Sequence, residues 1–280
     1  MKNLVSLFEM TNNKGAIGAF NVHCIEMLPS MMEAANELNI PIIIQTSLGT
    51  AEYVGFDLMV SIIKTLSERY NIDVCLHLDH CQDIHAIQKA IDSGYTSVMY
   101  DGSSLPLNEN IENTKKVVEY AHKRNVSVEG EVGTIGGTED GLVVDEKDVM
   151  YTNPEDAYMF VKETNVDALA VAIGTTHGLY KSKAKINFDL LKEISSNIGH
   201  VGLVLHGGTG VSDEDIKRCV SEGVKKVNIG SELNKAYIEE INKTFPKAAD
   251  RPLTSLRKLF IPANQRIKEI VKQKLILLQK

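Results

Sequence analysis

Eight short apolar runs, each closed by a polar or glycine-bearing turn, set what this chain can fold into. They occupy residues 16–22, 40–45, 74–80, 95–100, 126–132, 168–173, 201–206 and 224–229. Between them, 26–38, 56–70, 83–92 and 108–124 read as helices, and another starts at Asn153 or Pro154. Further helices open after Ser212 and at Glu232, and the tail from about 252 to 278 is helical. Apolar runs of this length between turn signals are buried strands, and their alternation with helices calls for a parallel sheet. Eight is the count that closes such a sheet into a (β/α)8 barrel. The expectation is a single TIM-barrel domain over residues 1–280 with an extra C-terminal helix. A doubly wound open sheet is the alternative. Against it, no GxGxxG follows the first strand. Polar residues also recur at many strand ends, which a barrel gathers at one mouth and an open sheet spreads along an edge.

Composition narrows the partners. The 280 residues carry a formal net charge of -7 and no block of Lys or Arg, which disfavours nucleic acid and anionic membranes. Charge or glycine interrupts every apolar run before the ~20 residues that a bilayer span needs. At the N-terminus, Ser6 and Glu9 arrive before a signal-peptide core develops. Cys24, Cys75, Cys81 and Cys219 show no CxxC spacing and read as reduced, buried thiols. A cytoplasmic protein is expected.

The strand ends carry the chemistry. Val74-Cys75-Leu76-His77-Leu78-Asp79-His80 is an apolar strand ending in a carboxylate and an imidazole. A strand interior has little reason to bury such a pair, because an uncompensated charge there is costly. Over a pocket, the imidazole binds a divalent metal and Asp79 moves a proton beside it. The plainer reading is an Asp–His hydrogen bond that closes the strand. Glu131 ends the fifth strand, His177 lies just beyond the sixth and His206 ends the seventh. Three imidazoles at one rim, with one position open, are the ligand set of a catalytic zinc. His77 shares the parity of Asp79 and is expected inside the barrel below it. His23 is near the mouth, His85 and His122 lie on helix surfaces, and His200 is at the opposite rim.

Anion binding is the second signal. His206-Gly207-Gly208-Thr209-Gly210 precedes one helix and Asn228-Ile229-Gly230-Ser231 another. Glycine-rich backbone at helix starts after strands seven and eight suits a phosphate. The alternative is turn and capping chemistry, with Ser212 and Ser231 as N-caps.

These motifs resemble those of the class II, metal-dependent ketose-bisphosphate aldolases of the fructose-/tagatose-1,6-bisphosphate type. The resemblance covers nearly the whole chain, from Ala19-Phe20-Asn21-Val22 through His77-Leu78-Asp79-His80 to Asn228-Ile229-Gly230-Ser231. Glu129-Gly130-Glu131-Val132-Gly133 with Gly136-Gly137-Thr138-Glu139-Asp140 resembles the family's second signature, and Leu205-His206-Gly207-Gly208-Thr209-Gly210 its third metal-ligand motif. It implies a lyase of carbohydrate metabolism and glycolysis that reversibly cleaves a ketose 1,6-bisphosphate to dihydroxyacetone phosphate and glyceraldehyde 3-phosphate. His80, His177 and His206 would hold Zn2+, with Glu131 near an alternative position of the metal. Asp79 would protonate and deprotonate the C4 hydroxyl, and Glu139 would exchange the C3 proton. Gly178, Gly207, Gly208, Thr209, Asn228, Ile229, Gly230 and Ser231 would contact dihydroxyacetone phosphate, with Asn21, Ser47 and Lys181 as further substrate contacts. The family often binds a monovalent cation nearby and forms homodimers or homotetramers.

The chemistry agrees. Breaking C3–C4 of a ketose leaves negative charge on the C2 oxygen, which a divalent metal stabilises, while a base takes the C4 hydroxyl proton. Loop 133–150 is long and glycine-rich enough to close as a lid. Where many fructose-preferring members have Asn-x-Asp-Thr, this chain has Asn228-Ile229-Gly230-Ser231. Where many carry Asp-Pro-Arg before the last helix, it has Asp250-Arg251-Pro252-Leu253. The choice between fructose and tagatose bisphosphate, or another phosphorylated ketose or keto-acid, stays open. A Schiff-base aldolase needs a lysine at the mouth, yet Lys225 and Lys226 read as lying at the opposite rim. A metal-dependent hydrolase lacks its His-x-His pair after strand one. A non-catalytic sugar-phosphate binding protein has no need of Asp79 and Glu139.

Overall fold

The computed structural model describes residues 1–11, 15–139, 142–144, 149–178, 184–249 and 256–279, the backbone alone at 138–139, 142–144 and 246–249. Its strands in chain order are β1 (Ile17–Asn21), β2 (Ile42–Thr46), β3 (Val74–Cys81), β4 (Ser97–Tyr100), β5 (Ser127–Val132), β6 (Gly136–Glu139), β7 (Leu142–Val144), β8 (Ala168–Val171), β9 (Thr176–His177), β10 (Gly202–Leu205) and β11 (Val224–Ile229). Eight of these close a barrel in the order β1-β11-β10-β8-β5-β4-β3-β2, with every neighbouring pair parallel. The expected (β/α)8 architecture is therefore present, and the doubly wound alternative is not.

The helices are α1 (Leu4–Met10), α2 (Leu28–Leu38), α3 (Leu48–Val54), α4 (Phe56–Tyr70), α5 (Ile84–Ser93), α6 (Leu107–His122), α7 (Pro154–Thr164), α8 (Phe188–Asn197), α9 (Asp213–Ser221), α10 (Ser231–Ala249) and α11 (Arg257–Leu277). Local chemistry starts and stops them. Asp83 caps α5 by accepting from the His85 amide, and Gly94 ends it in the left-handed region. Asn153 caps α7, with Pro154 at the first helical position, where its missing N–H costs nothing. The C-terminal helix α11 packs on α10 and α2.

Two local expectations are corrected and one helix was not anticipated. Residues 46–50 do not form a plain loop, because the Ser47 hydroxyl accepts from the Thr50 amide and starts α3. The glycine-rich stretch after β5 builds β6 and β7, an antiparallel ribbon that also pairs with β9. Helix α1 had no expected counterpart. It seats Leu4 and Leu7 against the interior-facing Ile17, Ala19, Ile43, Cys75, Met99, Ala168, Ala170 and Val204, closing one end of the barrel with an apolar plug. The Lys2 amide reaches the Val74 carbonyl at 2.8 Å, and the Leu4 amide reaches Ser127 Oγ at 2.9 Å.

Strand parity then places the polar interior. Two residues beyond Ile43, Cys75 and Ala19 come Gln45, His77 and Asn21, and two further along β3 comes Asp79. Glu129 and Glu131 of β5 and Lys226 and Asn228 of β11 complete a buried polar layer between the plug and the mouth. Lys226, expected at the far rim, is thus fully buried inside the barrel. Among the described residues no helix is long and apolar enough to cross a membrane.

Candidate active site

A regular strand sends successive side chains to opposite faces, so Asp79 and His80 should diverge. They do not. The β3–β4 register slips between Leu78 and Cys81, and His80 takes a left-handed backbone with φ 44°. Such a bulge re-aims a side chain, and both residues line one cavity of about 660 Å3 at the barrel mouth. Asn21, Ser47, Asp101, Glu131, Gly137 and His177 share its wall.

The three candidate ligands meet there. Ring nitrogens of His80, His177 and His206 lie within 4.8 Å of one another. The ring centroids are 4.5 Å apart for His80–His206, 4.8 Å for His80–His177 and 5.7 Å for His177–His206, and all three pairs meet edge to face. His206 Nδ1 is 2.7 Å from His80 Nε2. Nitrogens converging on one point suit a cation at Zn–N distances of about 2.0–2.1 Å. Two of the rings are held from behind. His80 Nδ1 contacts Asp101 Oδ2 at 3.0 Å, and His206 Nε2 contacts Glu129 Oε1 at 2.8 Å. Carboxylate partners of this kind set the tautomer and orientation of metal-binding imidazoles.

His177 is positioned by the ribbon. Gly137 of β6 pairs with His177 of β9 at φ 108°, and a Cβ on Gly137 would run into the His177 backbone. Gly207, at φ 66°, packs equally close against the Thr176 backbone, which brings the 207–209 loop beside the 176–178 turn.

Electrostatics favour a neutral ring at His206 and at His77. Burial first, then the charges of His80 and Lys226, push the His206 pKa well below its ordinary value. His77 is lowered in the same sense, by burial and then by Lys226. Burial raises the Asp101 carboxyl, but the bonds from His80 and Ser103 outweigh it and hold the group below the usual carboxylate range. His80, Asp101 and Glu131 form a second cluster able to hold a cation beside the first.

Asp79 is oriented by three amides. Its Oδ2 accepts from Gln45 Nε2 at 2.8 Å and Asn21 Nδ2 at 3.1 Å, and its Oδ1 from Asn228 Nδ2 at 3.3 Å. His77 Nε2 stands 3.8 Å from Oδ1, inside the barrel as parity required.

The glycine-rich helix starts are partly committed to capping. Ser212 caps α9 through the Asp215 amide, whereas Ser231 is the first residue of α10 rather than its cap. Thr209 Oγ1 instead accepts from the Glu232 amide at 3.3 Å, and the Gly208 amide reaches the Asn228 carbonyl at 3.1 Å. Gly207 to Thr209 and Asn228 to Ser231 thus sit together at the ends of adjacent strands, and Ile229 is buried. Gly178 follows His177 at φ 85°. Lys181, Asp140 and the run 250–253 lie outside the described residues, as do the side chain of Glu139 and part of the 133–150 stretch. Sequence reasoning gave no role to Gln45, Glu129 or Asp101 and placed Lys226 at the far rim. Parity with Glu131 and Asn228 was the signal for Glu129 and Lys226.

The family model described as Fructose-bisphosphate aldolase class-II matches residues 3–280 of this chain. A fructose-bisphosphate aldolase of Helicobacter pylori (strain ATCC 700392 / 26695) is 41% identical over 286 aligned positions, covering 94% of this chain and 92% of that protein. Among solved structures, the YdjI aldolase from Escherichia coli K12 superposes with a TM-score of 0.85 at 32% identity, over 99% of this chain and 97% of that one. The fructose-bisphosphate aldolase (Fba) from Campylobacter jejuni superposes with a TM-score of 0.82 at 22% identity, over 99% and 95% of the two chains, a likeness of fold.

Proposed function

The chain belongs to the class-II fructose-bisphosphate aldolase family and is an aldolase, a carbon–carbon lyase, and on that premise we propose that it reversibly cleaves fructose or tagatose 1,6-bisphosphate to dihydroxyacetone phosphate and glyceraldehyde 3-phosphate. The observation that carries this reading is the convergence of His80, His177 and His206 beside the amide-held carboxylate of Asp79. The family is metal-dependent, and this donor set fits Zn2+. His80, His177 and His206 would hold it, and Glu131 with His80 and Asp101 supplies an alternative position. When bound, the metal supplies the positive charge that accepts the electron pair left on the C2 oxygen.

The chain's own residues do the rest. Asp79, with its oxygens turned by Asn21, Gln45 and Asn228, takes the C4 hydroxyl proton as the C3–C4 bond breaks and C4 becomes an aldehyde. In the reverse direction it returns that proton. Glu139, on the ribbon whose Gly137 lines the cavity, exchanges the proton at C3. Ser47 at the cavity wall, Gly178, the 207–209 backbone and residues 228–231 receive the phosphate and hydroxyls of the ketose, and Lys181 joins them. A monovalent cation nearby would offset phosphate charge. The ribbon acts as a lid that keeps water from the carbanionic carbon. A single domain over residues 1–280, a cytoplasmic location and a homodimer or homotetramer complete the reading. Light scattering at micromolar concentration tests the last of these against the 30.9 kDa protomer.

The deciding experiment is retro-aldol cleavage of both sugars by zinc-loaded and chelator-stripped protein. Triose phosphate release is coupled to a dehydrogenase. Activity should vanish on chelation and return with Zn2+, and the ratio of the two rates names the sugar. Activity surviving chelation, with substrate trapped by borohydride, would move the chemistry to a lysine. Zinc-replete protein that cleaves neither sugar would exclude both.

A further inference from the structure

Beneath the imidazole cluster, the barrel buries a lysine that the proposed chemistry does not use. Lys226 is fully buried, and its Nζ lies 2.8 Å from Glu129 Oε2, which is equally buried. The approach is a close ion contact rather than a well-aligned hydrogen bond. Burying such a pair is expensive, and a packed apolar pair of similar volume is commonly at least as stable. Its retention at this point in the core therefore calls for a use beyond holding the fold.

The other oxygen of Glu129 supplies one. Glu129 Oε1 is 2.8 Å from His206 Nε2, while His206 Nδ1 faces His80 Nε2 at 2.7 Å. A carboxylate only accepts hydrogen bonds, so the proton of the neutral His206 ring sits on Nε2 and the lone pair of Nδ1 points into the cluster. That arrangement needs Glu129 fixed in rotation. His77 is 3.7 Å from Oε2, outside hydrogen-bond range, and its Nδ1 is engaged by Ser97 Oγ at 2.7 Å. The cation that pins Oε2 is Lys226.

We infer that Lys226 is a positioning residue of the metal centre: it anchors Glu129, and through Glu129 it aims the ligand nitrogen of His206. This rests on the reading of His206 as a metal ligand. Lys226 touches neither metal nor substrate, so its effect passes through one intermediary.

The test is Zn2+ affinity, read by competition with a chromophoric chelator, together with kcat and KM at saturating zinc. Lys226→Met keeps the length of the side chain and removes its charge. It should weaken zinc binding by about 10–100-fold, the usual cost of losing such an outer partner, and lower kcat more than it changes KM. Glu129→Gln should weaken zinc comparably. The double variant Glu129→Gln/Lys226→Met should be no weaker than Glu129→Gln alone, because both act on one ring. Wild-type zinc affinity in folded Lys226→Met, with affinity lost in His206→Ala, would overturn the inference and leave the ligand reading standing. Wild-type affinity in His206→Ala would remove both. Additive losses in the double variant would also overturn it. If Lys226→Met does not fold, the double variant, which removes both charges together, decides: wild-type zinc affinity there refutes the inference.

Discussion

Asp79 and His80 are consecutive in β3, yet both face the same cavity, because the strand slips register between Leu78 and Cys81 and His80 takes a left-handed backbone at φ 44°. A non-glycine residue held in that region stores strain that the surrounding structure must over-determine. Here the Asp101 contact at 3.0 Å holds the His80 ring, while three side-chain amides hold the Asp79 carboxylate. A base and a ligand are thus placed side by side by one bulge.

Replacing Asp79 by Asn keeps the side-chain volume and removes the base. Zinc content should stay at the wild-type level, while cleavage falls by about 10²–10⁴-fold, the usual worth of one general base. Metal analysis beside a coupled assay separates the two. Turnover near wild type would take Asp79 out of the chemistry.

Gly137→Ala bears on His177 without touching it chemically. The added methyl would meet the His177 backbone at a φ that alanine adopts poorly. The strain should cost about 1–3 kcal/mol and push β6 and β9 apart. Zinc binding should weaken along with thermal stability. A variant with wild-type melting temperature and zinc affinity would show that the ribbon does not set His177.

Gly230 stands where Asn21 leans over. A Cβ there would come within 2.8 Å of Asn21 Oδ1, which already accepts from Gln45 Nε2 at 2.8 Å. Gly230→Ala should therefore displace Asn21 from Asp79 and overpack the mouth at a cost of about 1–3 kcal/mol. Cleavage should fall with it. Testing Gly230→Asp on both bisphosphates would reveal whether this position also weighs the C4 configuration, since Asn21 bonds the carboxylate assigned to the C4 hydroxyl. An unchanged rate ratio would exclude that.

The buried thiols should be inert. Burial lifts the thiols of Cys75 and Cys219 to about 12 and that of Cys81 to about 11, and it also raises half-buried Cys24. A raised thiol pKa keeps the unreactive protonated form, and the protection is lost only as pH climbs towards those values. Native protein at pH 8 should react slowly with an alkylating reagent at all four cysteines, and denatured protein rapidly. A fast native thiol at pH 8 would contradict the burial of that residue.

The alternation of eight apolar runs with helices was legible because periodicity is local, and so was the placing of His80, His177, His206 and Asp79 at strand ends. Helix starts at Asp83, Asn153 and Ser212 are likewise decided by the capping side chain within one turn. What escaped the sequence depends on closure. The plug by α1, the pairing of β6 with β9 and the register slip that re-aims His80 all require strands distant in sequence to be adjacent first. The same holds for Lys226. Read from its neighbours it belongs to a polar strand start at the far rim; in the closed barrel its parity with Asn228 turns it inward, where Glu129 of another strand lies 2.8 Å from its Nζ. Residue type and spacing determined which chemistry the chain carries. The barrel's curvature and register decided which groups face one another, because a side chain's partner across a parallel sheet is set by the pairing of whole strands and not by anything within its own.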